Sequence, residues 1–234
     1  IVVLGAVVNK DGFLVRTMIF SGNTADCATM QDMMRSLDPP SSKGKKKIVV
    51  MDAGISVGEN LKWLRENGYD YITVRRGGST DNYKIVGDHT VTVEDVRHQR
   101  IEIQFAEIEN VNDTLLLVDS HAKTLKEKSM HGKASSRFEE GLKTIQKGIM
   151  TKGGTKKRDK VNERLGRLKE RCSSVQKDYE ITFAYDDKNT VTGMTWTRNP
   201  GKSSLRSSGE GKYLVQTSLK GYSEKQIWEF YNVY

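Results

Sequence analysis

The sequence has few of the residues that build disulfide or zinc sites. Its 234 residues include two cysteines, Cys27 and Cys172, and four histidines. The cysteines lie far apart, and no histidine pair has the i, i+4 spacing or the CxxC partner typical of zinc sites. The composition therefore gives no support to a disulfide-stabilised scaffold or a zinc protein. It predicts a protein of the reducing cytoplasm.

Long apolar runs are also absent. No run reaches the roughly 18–20 residues that a transmembrane helix needs, and 29% of the residues are charged. Residues 1–12 lack the basic region and the small-residue cleavage site of a signal peptide. The sequence opens without Met on an apolar stretch typical of a core strand. We therefore expect no membrane partner and a fragment of a longer protein.

Acidic residues are scarce in one part of the chain. The net charge is +8, yet residues 121–178 alone carry 17 Lys and Arg against seven Asp and Glu, an excess of ten. The rest of the chain is therefore slightly acidic. A basic module joined to a near-neutral one predicts a polyanionic partner.

One carboxylate stands out in residues 47–56, KIVVMDAGIS. The apolar run of residues 48–51 predicts a strand buried on both faces, and it ends in Asp52. Ligands gather at the carboxyl ends of strands in α/β sheets, where an acid can hold a divalent cation. The alternative is an ordinary strand-end acid that caps the next turn.

The pattern of residues 1–75 alternates strands and helices. A hairpin turn of the Asp-Gly type separates the strands of residues 1–8 and 13–20. Strands over 47–52 and 69–74 then alternate with helices over 27–37 and 58–67, which predicts a mixed sheet with helices on its faces. Asn23, Thr24 and Asp26 precede the first helix; Thr24 or Asp26 suits the N-cap, and the alternative is that the loop faces the sheet edge of Asp52.

The pattern changes after residue 75. Residues 85–119 predict three strands (90–93, 101–105 and 114–118), and residues 123–150 predict a helix. A Gly-Gly turn at 153–154 leads to a second helix whose apolar residues follow a heptad seam. The members of this seam are Val161, Leu165, Leu168, Cys172, Val175 and Tyr179. The two helices predict an antiparallel hairpin that is apolar inside and basic outside; strands over 179–185 and 191–197 follow.

The basic face of this hairpin is the predicted phosphate-contacting surface. Its residues are Lys156, Lys157, Arg158, Lys160, Arg164, Arg167 and Arg171. Contacts to the DNA backbone would make binding steeply dependent on salt. The alternative is a solvated helix face without a ligand. Arg75 and Arg76, at the exit of the strand over 69–74, are a second place where a DNA backbone could pass.

The motifs together resemble a known family. Residues 1–75 and 213–234 resemble the catalytic core of DDE-type insertion-sequence transposases, which has an RNase H-like fold. The resemblance is carried by FSGNTAD (20–26), VVMDAGIS (49–56), YDYITV (69–74), GKYLVQTS (211–218) and IWEFYNVY (227–234). DKVNERLGRLKERC (159–172) is similar to a basic helix within the large insertion of one subgroup.

The resemblance implies a division of the chain and a role for Asp52. Residues 1–75 would be the first part of an α/β, RNase H-like core, 76–212 an inserted α+β domain with the basic helical hairpin, and 213–234 the return to the core. Asp52 matches the second acid of the Asp-Asp-Glu triad. The first acid would lie on a strand before residue 1, and the Glu beyond residue 234. The family's Tyr-x2-Arg-x3-Glu-x6-Lys pattern begins at Tyr231, with Tyr234 in place of the Arg, or at Tyr234.

The resemblance also implies the chemistry of the intact protein. Two divalent ions, Mg²⁺ or Mn²⁺, would bracket the scissile phosphate of double-stranded DNA at the transposon ends, and Asp52 would be their ligand. A homodimer on paired DNA ends in the bacterial or archaeal cytoplasm, associated with the nucleoid, would be the working form. With one acid of three, the fragment itself is expected to be inactive. The competing hypothesis is a non-catalytic nucleic-acid-binding scaffold that uses the basic hairpin.

Overall fold

The structure is a computed structural model that describes residues 1–37, 47–77, 82–95, 97–199 and 209–232. It divides into two compact units. Unit 1 comprises Ile1–Ala122 and Gly211–Tyr234, and unit 2 comprises Lys123–Glu210. Each unit is built around hydrophobic clusters of its own.

The described residues form eleven strands and five α-helices. The strands are β1 (Val2–Val8), β2 (Leu14–Ser21), β3 (Lys47–Met51), β4 (Tyr69–Val74), β5 (Lys84–Ile85), β6 (Val91–Glu94), β7 (Arg100–Glu107), β8 (Thr114–Ser120), β9 (Tyr179–Tyr185), β10 (Val191–Arg198) and β11 (Lys212–Thr217). The helices are α1 (Asp26–Arg35), α2 (Gly58–Glu66), α3 (His121–Met150), α4 (Arg158–Arg171) and α5 (Glu224–Tyr231). The three strands predicted between residues 85 and 119 are confirmed as β6, β7 and β8, whereas β5 was not predicted because two residues are too few to show a pattern.

The first hairpin forms where the turn residues predict it. The Asn9 side-chain oxygen accepts hydrogen bonds from the backbone N–H groups of Asp11 at 3.0 Å and Phe13 at 2.9 Å. Gly12 has φ of 80°, a left-handed conformation that glycine adopts without strain. Strands β1 and β2 pair antiparallel across this turn as a two-stranded sheet.

The main sheet of unit 1 has seven strands among the described residues. Its order is β3-β4-β11-β8-β7-β5, with β6 paired to β7. Strands β3 and β4 are parallel, and the other pairs are antiparallel. The predicted mixed sheet is therefore confirmed.

Helices cover both faces of this sheet, as predicted. On β4, Tyr71 packs into a cluster with residues of α1 and α2, while its neighbour Ile72 packs into a cluster with Ile227 and Trp228 of α5. The two faces follow from the strand period of two. All four of these side chains are at most 4% exposed.

The predicted burial of the strand before Asp52 is confirmed for Met51 but not for the first residues of the strand. Strand β3 is an edge strand that, among the described residues, pairs with β4 alone. Lys47 is exposed and Ile48 is 36% exposed, while Met51 is buried. An edge position leaves one side of the strand uncovered, and the sequence pattern does not distinguish an edge strand from a central one.

The predicted N-cap of the first helix is also wrong. Ala25 is the N-cap of α1 and makes no side-chain cap hydrogen bond. Asp26 lies inside the first turn, where its negative charge favours the positive end of the helix dipole. The first turn is completed by the Thr29 hydroxyl, which donates to the Asp26 carbonyl at 2.8 Å.

Unit 2 packs two helices against the β9–β10 hairpin. A β-carbon on Gly141 of α3 would lie 2.4 Å from Leu168 of α4, and one on Gly148 would lie 3.5 Å from Arg164. The helices therefore run antiparallel, as predicted, around a core of Phe138, Leu142, Ile145, Ile149, Val161, Leu165, Cys172, Val175, Tyr179, Val191 and Met194.

The predicted heptad seam extends past the end of the helix. Helix α4 ends at Arg171, a turn follows, and Tyr179 begins β9. Ser173 and Ser174 favour such an end because their side chains compete with helical hydrogen bonds. The apolar spacing continues because Cys172, Val175 and Tyr179 pack into the same core from the turn and the strand.

Three features of the sequence fall outside the described residues. Pro39 and Pro40 are expected to break the first helix, and residues 199–212, rich in Gly, Ser and Pro, are expected to form a loop, most of which is not described. The third is the motif position at Tyr234. Within the described residues, no helix has both the length and the apolarity needed to cross a bilayer.

Candidate active site and nucleic-acid interface

Asp52 lies directly after β3, at the carboxyl end that the sequence predicts. The side chain is exposed, and its Oδ2 accepts a hydrogen bond from the backbone N–H of Gly54 at 3.3 Å. The backbone N–H of Ile55 donates to the Asp52 carbonyl at 3.1 Å, which closes the turn. The Asp52 carboxylate therefore caps its own turn. Because its side chain is exposed, its oxygens can still reach a ligand.

A second carboxylate approaches the same turn from α1. A β-carbon placed on Gly54 would lie 3.3 Å from Oδ2 of Asp52 and 3.9 Å from Oδ2 of Asp26. These distances limit the separation of the two oxygens to about 7.2 Å. Asp26, at the start of α1, therefore lies near the turn that carries Asp52.

Arg76 fixes the turn from the neighbouring strand. It follows β4, and its Nε and Nη2 donate to the carbonyls of Ala53 and Gly54, each at 2.6 Å. Parallel pairing of β3 and β4 brings their carboxyl ends together, which makes this contact possible. The sequence predicts that Arg76 follows the end of a strand. No sequence pattern indicates its hydrogen bonds to the turn that carries Asp52.

Helix α5 reaches the site from the opposite face of the sheet. Burial raises the pKa of Tyr231, and the negative charge of Asp52 raises it further. Burial likewise raises the pKa of Tyr213, with a contribution from Tyr231. The charge of Asp52 therefore acts on a tyrosine in the last turn of α5.

The described residues do not complete a metal centre. Among them, no group of three or more His, Cys, Asp or Glu side chains is placed to hold an ion. Asp52 and Asp26 offer two carboxylates, whereas a two-metal site needs more oxygen ligands.

The seven predicted DNA-contacting residues lie in and just before α4, in unit 2. All are exposed except Lys156, which is half-buried. Lys160, Arg164, Arg167 and Arg171 recur at spacings of four, three and four and so share one face of the helix. This stripe lies beside the buried Val161 and Leu165 and the half-buried Leu168, which orient it outward.

Several of these cations already have protein partners. Glu163 lies 3.4 Å from Lys160 and also pairs with Arg167. The hydrogen bond from Lys160 and the two positive charges hold the pKa of Glu163 below its usual value. Arg158 lies 5.3 Å from the ring centroid of Tyr185. The ion pairs are exposed and exchange readily with solvent, so they leave a net positive surface.

The three tryptophans pack into the protein. Trp228 is 4% exposed and donates to the Glu94 carbonyl at 3.2 Å. Trp63 stacks on Tyr69, and Trp196 packs against the core of unit 2.

Residues 2–233 match the family model of the transposase DDE domain. The chain belongs to the DDE transposase family. No curated protein and no solved structure matches it. Transposases of this family act on DNA and generally use a divalent metal.

Proposed function

We propose that this chain is the DNA-holding part of a DDE transposase and that Asp52 is the second acid of its catalytic triad. The observation that carries the proposal is the exposed Asp52 carboxylate at the end of β3, in a chain that matches the DDE family along 2–233. The intact transposase would cleave a phosphodiester at a transposon end and join it to target DNA, using Mg²⁺ or Mn²⁺. By itself, this chain would bind DNA and not cleave it.

We further propose an RNase H-like core in which the strand bearing the first acid lies between β1 and β3. Among the described pairings, β1 joins only β2 and β3 joins only β4. A cavity of about 670 Å³ separates them, lined by residues 3–8 of β1, 47–51 of β3 and three methionines of α1. The five residues of β3 that pair with β4 extend over about 17 Å. This is long enough for one further strand to pair along the free edge of β3. Methionines adapt to whatever packs on them.

The gene sequence around this chain tests the catalytic part. We expect an Asp on a strand encoded before Ile1 and a Glu within about three helical turns after Tyr234. In the full-length protein, Asp52→Asn should abolish cleavage of transposon-end DNA while DNA binding persists. Cleavage at the wild-type rate by Asp52→Asn would exclude Asp52 from the triad. Absence of both flanking acids would favour the non-catalytic DNA-binding scaffold.

DNA binding by unit 2 is tested on residues 1–234 themselves. Neutralising Lys156, Lys157 and Arg158 to Gln should reduce the slope of log K against log salt by about 2.7, since each phosphate contact contributes about 0.9. The control neutralises three exposed cations of unit 1, Lys10, Arg35 and Lys62, with the same change of charge. Equal slopes in the wild type and the α4 triple variant would remove the DNA role from this surface.

We propose that the working form is a homodimer bound to paired DNA ends in the cytoplasm, associated with the nucleoid. The support is the DNA substrate that family membership implies, because strand transfer joins two ends in one event. Sedimentation of the full-length protein with and without transposon-end DNA tests it. A single copy on each DNA molecule at all concentrations would contradict it.

A further inference from the structure

Two adjoining cavities lie on unit 1 beside α2, and together they form one groove. The first, of about 550 Å³, extends from the loop over 110–113; the second, of about 320 Å³, extends from residues 56–58. Both are lined by Arg65, Arg75 and Gln216. Arg76 lines the second cavity as well. We call this feature the arginine groove.

The guanidinium groups of the groove are held in place before any ligand arrives. Arg65 Nη2 donates to both carboxylate oxygens of Asp113, at 2.7 and 2.8 Å, and the group lies 5.1 Å from the centre of the Tyr71 ring. Arg75 Nη1 donates to the side-chain oxygen of Gln216 at 3.1 Å. Arg76 is fixed by the turn that carries Asp52. Groups ordered in advance lose little freedom when a ligand binds.

The groove is positively charged. Among its described lining residues, three arginines face one carboxylate, Asp113, whose side chain is 7% exposed. The two bonds of Arg76 go to neutral carbonyls, which leave its charge uncancelled. Lys220 adds a fourth cation at the far end, where it donates to the Asn112 carbonyl.

The lining selects for a phosphate backbone over bases. Besides the arginines, the lining includes the side-chain amides of Asn110 and Asn112, which can donate hydrogen bonds. The Ser56 hydroxyl and the Gln216 amide also line it but already donate to protein oxygens. The described lining contains no aromatic ring on which a base could stack. Arginine pairs with phosphate oxygens through two parallel N–H groups, which suits a chain of phosphodiesters.

We propose that the arginine groove binds the phosphodiester backbone of DNA beside Asp52. The inference deepens the proposed function and rests on it, but it assigns DNA contacts to unit 1 in addition to those of α4. Because Arg76 contacts Ala53 and Gly54, the near end of the groove is one residue from Asp52. A strand held along the groove would be positioned at the site of the acid.

The test compares variants of residues 1–234 in binding a 30-base-pair duplex across a salt series. Arg75→Gln removes one groove charge, and the control Lys62→Gln removes an exposed charge of α2 that pairs with Glu66 outside the groove. We expect Arg75→Gln to lower the salt slope by about one and to weaken all sequences alike, with Lys62→Gln unchanged. Arg75→Lys, which keeps the charge, should retain the slope.

A second variant keeps the test decisive if Arg75→Gln fails to fold. Asn112→Asp adds a negative charge on the exposed loop at the other end of the groove and should also weaken binding and lower the slope. If the wild type binds duplex DNA but both groove variants behave like Lys62→Gln, the groove inference is overturned and the proposed function stands. If the wild type binds no duplex DNA at any salt concentration, the DNA-holding role falls together with the groove.

Discussion

Asp113→Asn should destabilise unit 1 because Asp113 is the shared acceptor of a nearly buried network. Its carboxylate accepts hydrogen bonds from the Tyr71 hydroxyl, the Gln216 amide and Arg65. Asparagine keeps one acceptor oxygen and presents an N–H₂ group to the remaining donors. A hydrogen bond to a charged group contributes about 1.5–3 kcal/mol. The ion pair adds only about 0–1 kcal/mol, since Arg65 is 46% exposed. We expect a loss of about 3 kcal/mol.

The unfolding free energy lost in Asp113→Asn should become smaller at acidic pH. Burial opposes ionisation of Asp113, but the hydrogen bonds from Tyr71, Gln216 and Arg65 outweigh it, and the pKa lies below its ordinary value. A lowered pKa in the folded state stabilises the fold above the unfolded pKa of about 3.9, and this contribution is lost as the pH falls through the folded pKa. The difference between wild type and variant should be constant from pH 5 to 8 and shrink below about pH 4.

Urea unfolding followed by tryptophan fluorescence measures this difference. Trp63 and Trp228 report on unit 1, and a Trp196→Phe background removes the only tryptophan of unit 2. Asp88→Asn, at an exposed aspartate, is the control and should change the unfolding free energy by less than about 0.5 kcal/mol. A loss below 1 kcal/mol at pH 7, or a difference that grows on acidification, would refute the role given to the network.

Three further outcomes are expected. His131→Leu removes a partner 3.0 Å from the buried Asp178 carboxylate and should cost about 1–3 kcal/mol in unit 2, measured by Trp196 fluorescence; a neutral result would mean that the other contacts of Asp178 suffice. Gly154→Ala would place a β-carbon 2.0 Å from the Gly148 carbonyl oxygen. The free energy of unfolding of unit 2 should therefore fall by at least about 2 kcal/mol, and an unchanged thermal unfolding curve would contradict the tight turn. Asp52→Asn should leave unfolding within about 0.5 kcal/mol of wild type, because Asp52 is exposed; a large loss would indicate a structural role in place of a catalytic one.

The hairpin and most helices could be predicted because their signals are local. The Asn9 turn determines the first hairpin through bonds within five residues. Helix α3 was predicted because its apolar residues recur at helical spacing. The end of α4 was missed because Cys172 and Val175 stay in the core after the helix ends. Periodicity reports which side chains are buried, and it does not show whether the backbone between them remains helical.

The site could be predicted only in part, because its contacts join distant segments. Asp52 was found from its own strand. Its neighbours Asp26 and Arg76 come from α1 and β4, and their approach depends on helix packing and on the parallel register of β3 with β4. The edge position of β3 could likewise not be predicted, because an apolar run is compatible with either an edge strand or a central strand.

The alternation of β3 orders the two faces beside Asp52. Val49 and Met51 pack on the side of α1 and α2, and Val50 packs on the side of α5. A shift of one residue in the pairing of β3 with β4 would exchange these faces, because successive side chains of a strand point to opposite sides. The parallel register of β3 with β4 therefore places the end of the strand, and with it Asp52, where Arg76 and Asp26 meet the same turn.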